Sequence, residues 1–205
     1  MPTVNAENNF VSRAEGKLEG AVRAFRYDFR NKTVLDIGSS TGGFTELALK
    51  LGAKKVIAIE KGTKQMKAPL RFDARVDLHE KTDFFDVLAS DFGVDEVETV
   101  VADVSFVSLT EILAHAQKIV NTKADFLVML KPQFEAEPDQ LVKGVVKNEK
   151  MRREILKKFE NWLKNNGFLV LKKRDNDVAG KKGNLERFYL LKIAKKAWFL
   201  SCLYL

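Results

Sequence analysis

Val34-Leu35-Asp36-Ile37-Gly38-Ser39-Ser40-Thr41-Gly42-Gly43-Phe44-Thr45 is an apolar run with an acid near its end, a glycine-rich turn and the start of a helical pattern. That order is the layout of a strand, a tight turn and a helix N-terminus at a nucleotide-type cofactor site in an open α/β sheet. Dinucleotide dehydrogenases place Gly-x-Gly-x-x-Gly there, so that backbone N–H groups meet a pyrophosphate. Here the loop reads Gly38-Ser39-Ser40-Thr41-Gly42-Gly43, and Asp36 is expected to aim a carboxylate at the ligand. That charge would repel a diphosphate and attract the cationic methionine end of S-adenosylmethionine (SAM). The loop therefore favours a methyl donor over NAD.

Around this segment the chain reads as one α/β domain of 205 residues, long enough for one core and short for two. A hydrophobic content of 45% and a charged content of 31% are those of a globular protein. The net charge of +7 suggests a polyanionic partner, since basic surface speeds association with nucleic acid and releases its counterions. A single cysteine, Cys202, excludes an internal disulfide framework and fits a reducing compartment. The chain opens with no signal-peptide pattern, and no apolar run approaches the roughly 20 residues of a membrane span. A cytoplasmic protein with no membrane partner is expected.

Residues 1–11 read as a tail or linker, 12–192 as the catalytic-type domain and 193–205 as an apolar tail. Ser12-x-x-Glu15 has the form of a capping box opening a helix to about Tyr27, with Lys17 in its early turns. Strands are expected at 33–37, 55–60, 76–78, 99–102, 125–130, 168–171 and 187–191, and helices at about 44–51, 109–120 and 149–165. The last helix should bury Met151, Ile155, Phe159 and Trp162. Residues 132–148 read as irregular and long for a connection, which marks function more often than accident. Strands alternating with helices imply a doubly wound, seven-stranded, mostly parallel sheet, with a closing β-hairpin as in SAM-dependent methyltransferases.

In such a sheet the ligand lies at the carboxyl ends of the strands. Asp36, Glu60, Asp83, Asp103 and Lys131 fall at successive strand ends. Glu60, about 20 residues past the loop, is placed to accept hydrogen bonds from both ribose hydroxyls, and Asp83 to meet the adenine amino group. Any one of these acids alone would more often be a solvated loop carboxylate. With Gly38, Ser39, Ser40, Thr41, Gly42, Gly43 and Phe44, and with Asp103 beside them, they form the expected cofactor set.

Ser12-Arg13-Ala14-Glu15-Gly16-Lys17-Leu18, Leu35 to Phe44, Asp103-Val104-Ser105-Phe106-Val107-Ser108-Leu109, Lys131-Pro132-Gln133-Phe134-Glu135 and Gly183-Asn184-Leu185-Glu186 occur in this order. Together they resemble the TlyA family, a branch of the FtsJ-type RNA ribose methyltransferases whose members are often called haemolysins. The resemblance covers about residues 10–192. It implies a Lys-Asp-Lys-Glu catalytic tetrad at Lys17, Asp103, Lys131 and Glu186, SAM as cofactor, and methylation of a cytidine 2′-hydroxyl in ribosomal RNA or ribosomal subunits. The family usually begins with a small RNA-binding module, which this chain is expected to lack. It also often continues Ser-Arg with Gly-Gly, where this chain has Ala14-Glu15, better helix formers.

A ribose hydroxyl must lose its proton as it attacks a sulfonium methyl. If Lys131 is the base it must be neutral, and lowering an amine from about 10.4 to about 7.4 takes roughly 4 kcal/mol. Burial and Lys17 push that way, and Asp103 and Glu186 push against it. Alternatively Lys131 stays charged and holds the 2′-oxygen in line, with Asp103 and Glu186 orienting the lysines and Lys17 holding the hydroxyl or a phosphate. The competing reading of the tetrad is two surface salt bridges.

Several chemistries lack their residues. Asp103-Val104-Ser105-Phe106 replaces the Asn/Asp-Pro-Pro-aromatic motif of base amino-methyltransferases, and Cys202 lies outside the motifs, away from any nucleophilic role. His79 and His115 have no partners at metal-ligand spacing, so no metal is expected. Segments 143–157 and 172–182 are basic enough for phosphate backbones, and Phe134 is a candidate for stacking on a base. A haemolysin-like membrane-active protein rests only on the apolar tail beside Lys195 and Lys196, too short to span a bilayer. A catalytically silent RNA-binding domain would bind RNA but not SAM, and a small-molecule methyltransferase would work without RNA.

Overall fold

The computed structural model describes residues 13–91, 93–177, 180 and 183–194. Ser12 of the expected capping box, Lys181, Lys182, Cys202 and the tail from residue 195 lie outside the described residues. In chain order the elements are α1 (Arg13–Phe25), β1 (Thr33–Ile37), α2 (Gly43–Lys50), β2 (Lys55–Glu60), α3 (Ala68–Arg71), β3 (Val76–Glu80) and β4 (Thr99–Ala102). There follow α4 (Leu109–Ile119), β5 (Asp125–Leu130), β6 (Leu141–Val142), β7 (Val145–Val146), α5 (Glu149–Asn165), β8 (Phe168–Asp175) and β9 (Arg187–Ile193). Seven strands form one sheet in the order β3-β2-β1-β4-β5-β9-β8. Strands β1 to β5 pair in parallel, and β9 runs antiparallel between β5 and β8. This is the expected doubly wound α/β sheet, closed by the expected hairpin.

Side chains alternate between the two faces of a strand, and here the alternation decides where the chemistry falls. Leu35, Ile57, Val100, Phe126 and Leu191 pack in one core with α4 and α5. Val34, Val56, Ala58, Val101, Leu127, Met129, Phe188 and Leu190 pack in the other, under α1 and α2. Continuing the second series by two residues reaches Glu60 at the end of β2, Asp103 and Lys131 just past β4 and β5 and, backwards along β9, Glu186. Asp36 belongs to the same series, two residues after Val34. Each apolar strand thus ends by projecting a polar side chain towards the face that carries α1 and Lys17.

Two elements differ from expectation. Residues 132–148, expected to be irregular, hold two 3₁₀ turns and the two-stranded β6–β7 hairpin, in strands too short for any periodicity to show. The four-residue α3 carries Pro69 in its first turn and is equally short. On α5 the buried face is Arg152, Ile155, Leu156, Phe159 and Leu163 rather than one including Met151, and Trp162 is only partly buried. Strand β8 runs on through Lys172-Lys173-Arg174 because those side chains find partners inside the molecule. Lys172 donates to the Phe25 carbonyl, Arg174 to the Gly20 carbonyl at 2.7 Å, and Lys173 to Glu160 at 2.7 Å. These contacts tie α1 and α5 to β8, while Lys172 and Lys173 stay exposed beside them. Arg152, in segment 143–157, is buried, pairing with Asp175.

Candidate active site

Sharp turns at the strand ends open a cavity of about 860 Å³ at the carboxyl ends of β1, β2, β4 and β5. Its size is that of a small-molecule cofactor site. Gly38, at φ +76, leaves β1 with its N–H donating to the Ile59 carbonyl at 2.9 Å. A Cβ there would lie 3.3 Å from Val104, so glycine lets the loop pass close to the segment after β4. Gly42, at φ +92, turns the chain into α2, and a Cβ on it would meet Leu70 at 2.4 Å.

Within the glycine loop, Gly38, Ser39, Ser40, Thr41, Gly43 and Phe44 line the cavity. Gly42 instead faces Leu70 and Met66, and serves the turn rather than the ligand. Phe44 is buried, with its ring tilted against Phe188 at 6.1 Å. Asp36 is 1% exposed. Its Oδ2 accepts a 2.6 Å hydrogen bond from Thr45 on α2, while Oδ1 is buried without a partner. Ser39 Oγ is buried without one too. Burial pushes the Asp36 carboxyl up to about 7, against the Thr45 hydrogen bond, and the charges of Asp103 and Glu60 add to the rise. A buried acceptor left unpaired costs about 1–3 kcal/mol unless a ligand supplies the donor. The donor set fits the expected cofactor: SAM would bring cationic and N–H groups to these orphaned oxygens.

Glu60 and Asp83 line the same cavity. Glu60 accepts from the Ser40 N–H at 2.9 Å and the Gly62 N–H at 2.6 Å, which ties the glycine loop to β2. The Gln65 amide donates to it as well at 3.3 Å, so one of a carboxylate's about four acceptor sites remains for a ribose hydroxyl. Asp83 caps the 3₁₀ turn Phe84–Asp86 and pairs with Lys61 at 2.7 Å, and this cation holds its carboxyl below the usual range. No group of His, Cys, Asp and Glu suited to a metal occurs among the described residues. His79 pairs with Asp77 and His115 hydrogen-bonds the Val87 carbonyl.

At the β4–β5 side of the cavity, Lys131 Nζ lies 2.6 Å from Asp103 Oδ1 and donates to Ser105 Oγ at 2.8 Å. Beyond β5, Lys17 pairs with Glu186 Oε2, and Glu186 is 3% exposed. The β5–β9 register, Leu130 opposite Arg187, brings Lys131 level with Glu186 one step further out. Ala14 lines the cavity and Lys17 follows it by three residues on α1, one turn along the same face. The four residues thus form two ion pairs at one end of the sheet, and neither is an exposed surface bridge. Lys17 and Glu186 are not on the wall of the cofactor cavity itself.

Side chains with no role in the sequence reading also shape this end. Ser105 holds Lys131. Glu135 accepts from the Ser108 hydroxyl and the Leu109 N–H, both at 2.7 Å, and so fixes the start of α4. Asn176 reaches Glu186. Phe106 is 92% exposed at φ +65, with its ring 5.1 Å from the half-buried Phe134. The order of residues within the motifs shows Ser105 and Phe106; their orientation depends on the turn after β4.

Residues 10–193 match the model of the FtsJ-like methyltransferase family. The chain is 38% identical over 178 residues to Hemolysin A of Brachyspira hyodysenteriae, covering 86% of this chain and 74% of that protein. It is 33% identical to the 23S rRNA (cytidine-2′-O)-methyltransferase TlyA of Campylobacter jejuni, covering 88% of this chain and 70% of that one. A solved hemolysin structure from Streptococcus thermophilus superimposes with a TM-score of 0.88 at 33% identity, over 93% of this chain and 70% of that one. Sheet order, the cavity behind a glycine turn and near-complete coverage by the family model agree: the chain belongs to the FtsJ-like methyltransferase family.

Proposed function

We propose that this chain transfers a methyl group from SAM to a ribose 2′-hydroxyl, that of a cytidine in ribosomal RNA, on ribosomal subunits in the cytoplasm. The observation that carries the reading is the Lys131–Asp103 pair at the wall of the cofactor cavity, 2.6 Å apart. The relatives named as rRNA (cytidine-2′-O)-methyltransferases support the substrate. The solvent-facing Phe106 beside Phe134 offers a flat surface for an unstacked base, as RNA sites use.

SAM, when bound, supplies an electrophilic methyl on a sulfonium, so that attack by oxygen forms a C–O bond and breaks a C–S bond. Asp36 and Ser39, whose buried oxygens are unpaired, would hold its cationic end, and Glu60 its ribose. Lys131 holds the attacking 2′-oxygen in line and is the group in reach of its departing proton. Asp103 and Ser105 fix Lys131 Nζ by two contacts, which limits its swing at the moment of transfer. Lys17, held by Glu186, meets the neighbouring backbone of the RNA. No helix among the described residues is long and apolar enough to cross a membrane.

The test is tritium transfer from methyl-labelled SAM to unmethylated ribosomal subunits, comparing the chain with Lys131→Ala. Label recovered in alkali-resistant dinucleotides, and lost in the variant, supports ribose methylation through Lys131. SAM binding without transfer to any ribosomal RNA overturns the substrate. Absence of SAM binding overturns the methyltransferase reading.

A further inference from the structure

Glu186 is held by more than Lys17. Strand β8 ends at Asp175, and the next residue, Asn176, turns back under the segment that leads into β9. Its backbone N–H donates to the Glu186 carbonyl at 2.9 Å. Its side-chain amide donates to Glu186 Oε2 at 3.1 Å, the same oxygen that takes Lys17. The amide also lies 3.3 Å from Met129 Sδ on β5. Asn176 is 8% exposed, so water does not replace these contacts. From the other side, Gly180 packs against the same carboxylate: a Cβ on it would lie 2.9 Å from Glu186 Oε1. One carboxylate oxygen is thus gripped by an amide, and the other is closed in by bare backbone.

Resting on the ribose-methylation reading, we propose that Asn176 is a positioning residue for that reaction. It fixes the Glu186 carboxylate, and through it the Lys17 ammonium, against the incoming ribose backbone. The chemistry selects an amide. A neutral N–H donor leaves the Glu186 charge available to Lys17, whereas an acid would share a proton with Glu186 or repel it. Among the described residues this side chain hydrogen-bonds the charged Glu186, which shares the same oxygen with Lys17, and β5 offers it the neutral Met129; the flanking Asp175 and Asp177 are paired with Arg152, Arg187 and Arg174. Without the amide, Glu186 keeps Lys17 but loses its fixed orientation. A misplacement of about 1 Å in such a group costs on the order of 100-fold in rate.

The experiment is steady-state methyl transfer to unmethylated ribosomal RNA by the full chain, with SAM affinity measured in parallel. Asn176→Ala is expected to lower kcat about 10- to 100-fold while leaving SAM affinity within about threefold, because Asn176 does not line the cofactor cavity. Asn176→Asp adds a titration. At low pH its protonated carboxyl can still donate to Glu186, and at high pH two carboxylates repel. Its activity relative to the unmodified chain is therefore expected to rise as pH falls, at pH values where melts show the variant fully folded, a change that a merely structural defect would not produce. Gly180→Ala is expected to lower kcat through the same carboxylate, and the Asn176→Asp profile decides the matter if Asn176→Ala fails to fold. Unchanged kcat in a folded Asn176→Ala, or an Asn176→Asp profile parallel to the unmodified chain, overturns the inference. Failure of the unmodified chain to methylate any ribosomal RNA overturns the ribose-methylation reading instead.

Discussion

Lys131 Nζ reaches Asp103 Oδ1 at 2.6 Å although the two residues start at different levels of the sheet. In the β4–β5 register Ala102 is level with Val128, so Asp103 is level with Met129 and Lys131 begins two residues further out. The long lysine stem closes that gap by bending back across the strand ends. A shorter cation would not, and arginine would present a planar fork in place of a single ammonium. Lys131→Ala is expected to lower kcat by about 10²- to 10⁴-fold, and Lys131→Arg to restore little of it. Isothermal titration with SAM should show near-native affinity in both. A large loss of SAM binding would assign Lys131 to the cofactor instead.

Asp36 gives a pH dependence with a defined sign. An unfolded aspartate titrates near 3.9, and burial pushes the folded group up to about 7. Between those values the folded chain keeps a proton that the unfolded chain has released. This group's contribution to stability therefore falls as pH rises from about 4 to about 7, and the loss is complete above that. Thermal melts of the ligand-free chain against Asp36→Asn are expected to show the flatter profile in the variant. A cationic ligand favours the carboxylate, so SAM affinity should tighten as pH rises towards about 7 and then level off. Asp36→Asn should lose that tightening, and its persistence would exclude Asp36 as its source.

Phe106 has an exposed side chain and a left-handed backbone, so folding gains little from it. A stacked base contributes about 1–3 kcal/mol, equivalent to roughly 5- to 150-fold in binding. Phe106→Ala is expected to raise KM for RNA within that range and to leave the melting temperature within about a degree or two, since surface changes stay near ±0.5 kcal/mol. Equal KM values for RNA would remove the stacking role.

Gly42→Ala tests the turn rather than the ligand. The new Cβ would collide with Leu70 at 2.4 Å, on a backbone at φ +92 that disfavours side chains. Left-handed strain of about 1–2 kcal/mol and overpacking of about 1–3 kcal/mol act together. A fall in melting temperature of roughly 5–15 °C is expected by calorimetry. A native melting temperature would mean that Leu70 and Met66 yield at no cost.

Much of this was legible in the chain. The strands from Thr33, Lys55, Thr99 and Asp125 are near-continuous apolar runs, because a parallel sheet covered on both faces demands them. Acids at the ends of the first three, and Lys131 at the end of the fourth, then mark the ligand side. The β6–β7 hairpin and α3 left no such trace, since two to four residues cannot carry a period. The basic stretch of β8 hides tertiary contacts that no local pattern shows: Lys172 and Arg174 each donate to a carbonyl of α1.

The sequence alone determined the sheet type, the cofactor turn and the residue types at the strand ends, because hydrophobic periodicity and glycine turns are local. It put Asp103 and Lys131 at strand ends, named Lys17 and Glu186 and the tetrad as a set only through resemblance, and did not say which lysine meets which acid. Only the tertiary structure decided that Lys131 takes Asp103, that Lys17 takes Glu186, and that Asn176 joins the second pair. Those contacts join residues far apart in the chain, and they depend on strand register and on how α1 docks over the sheet. No local pattern encodes either one.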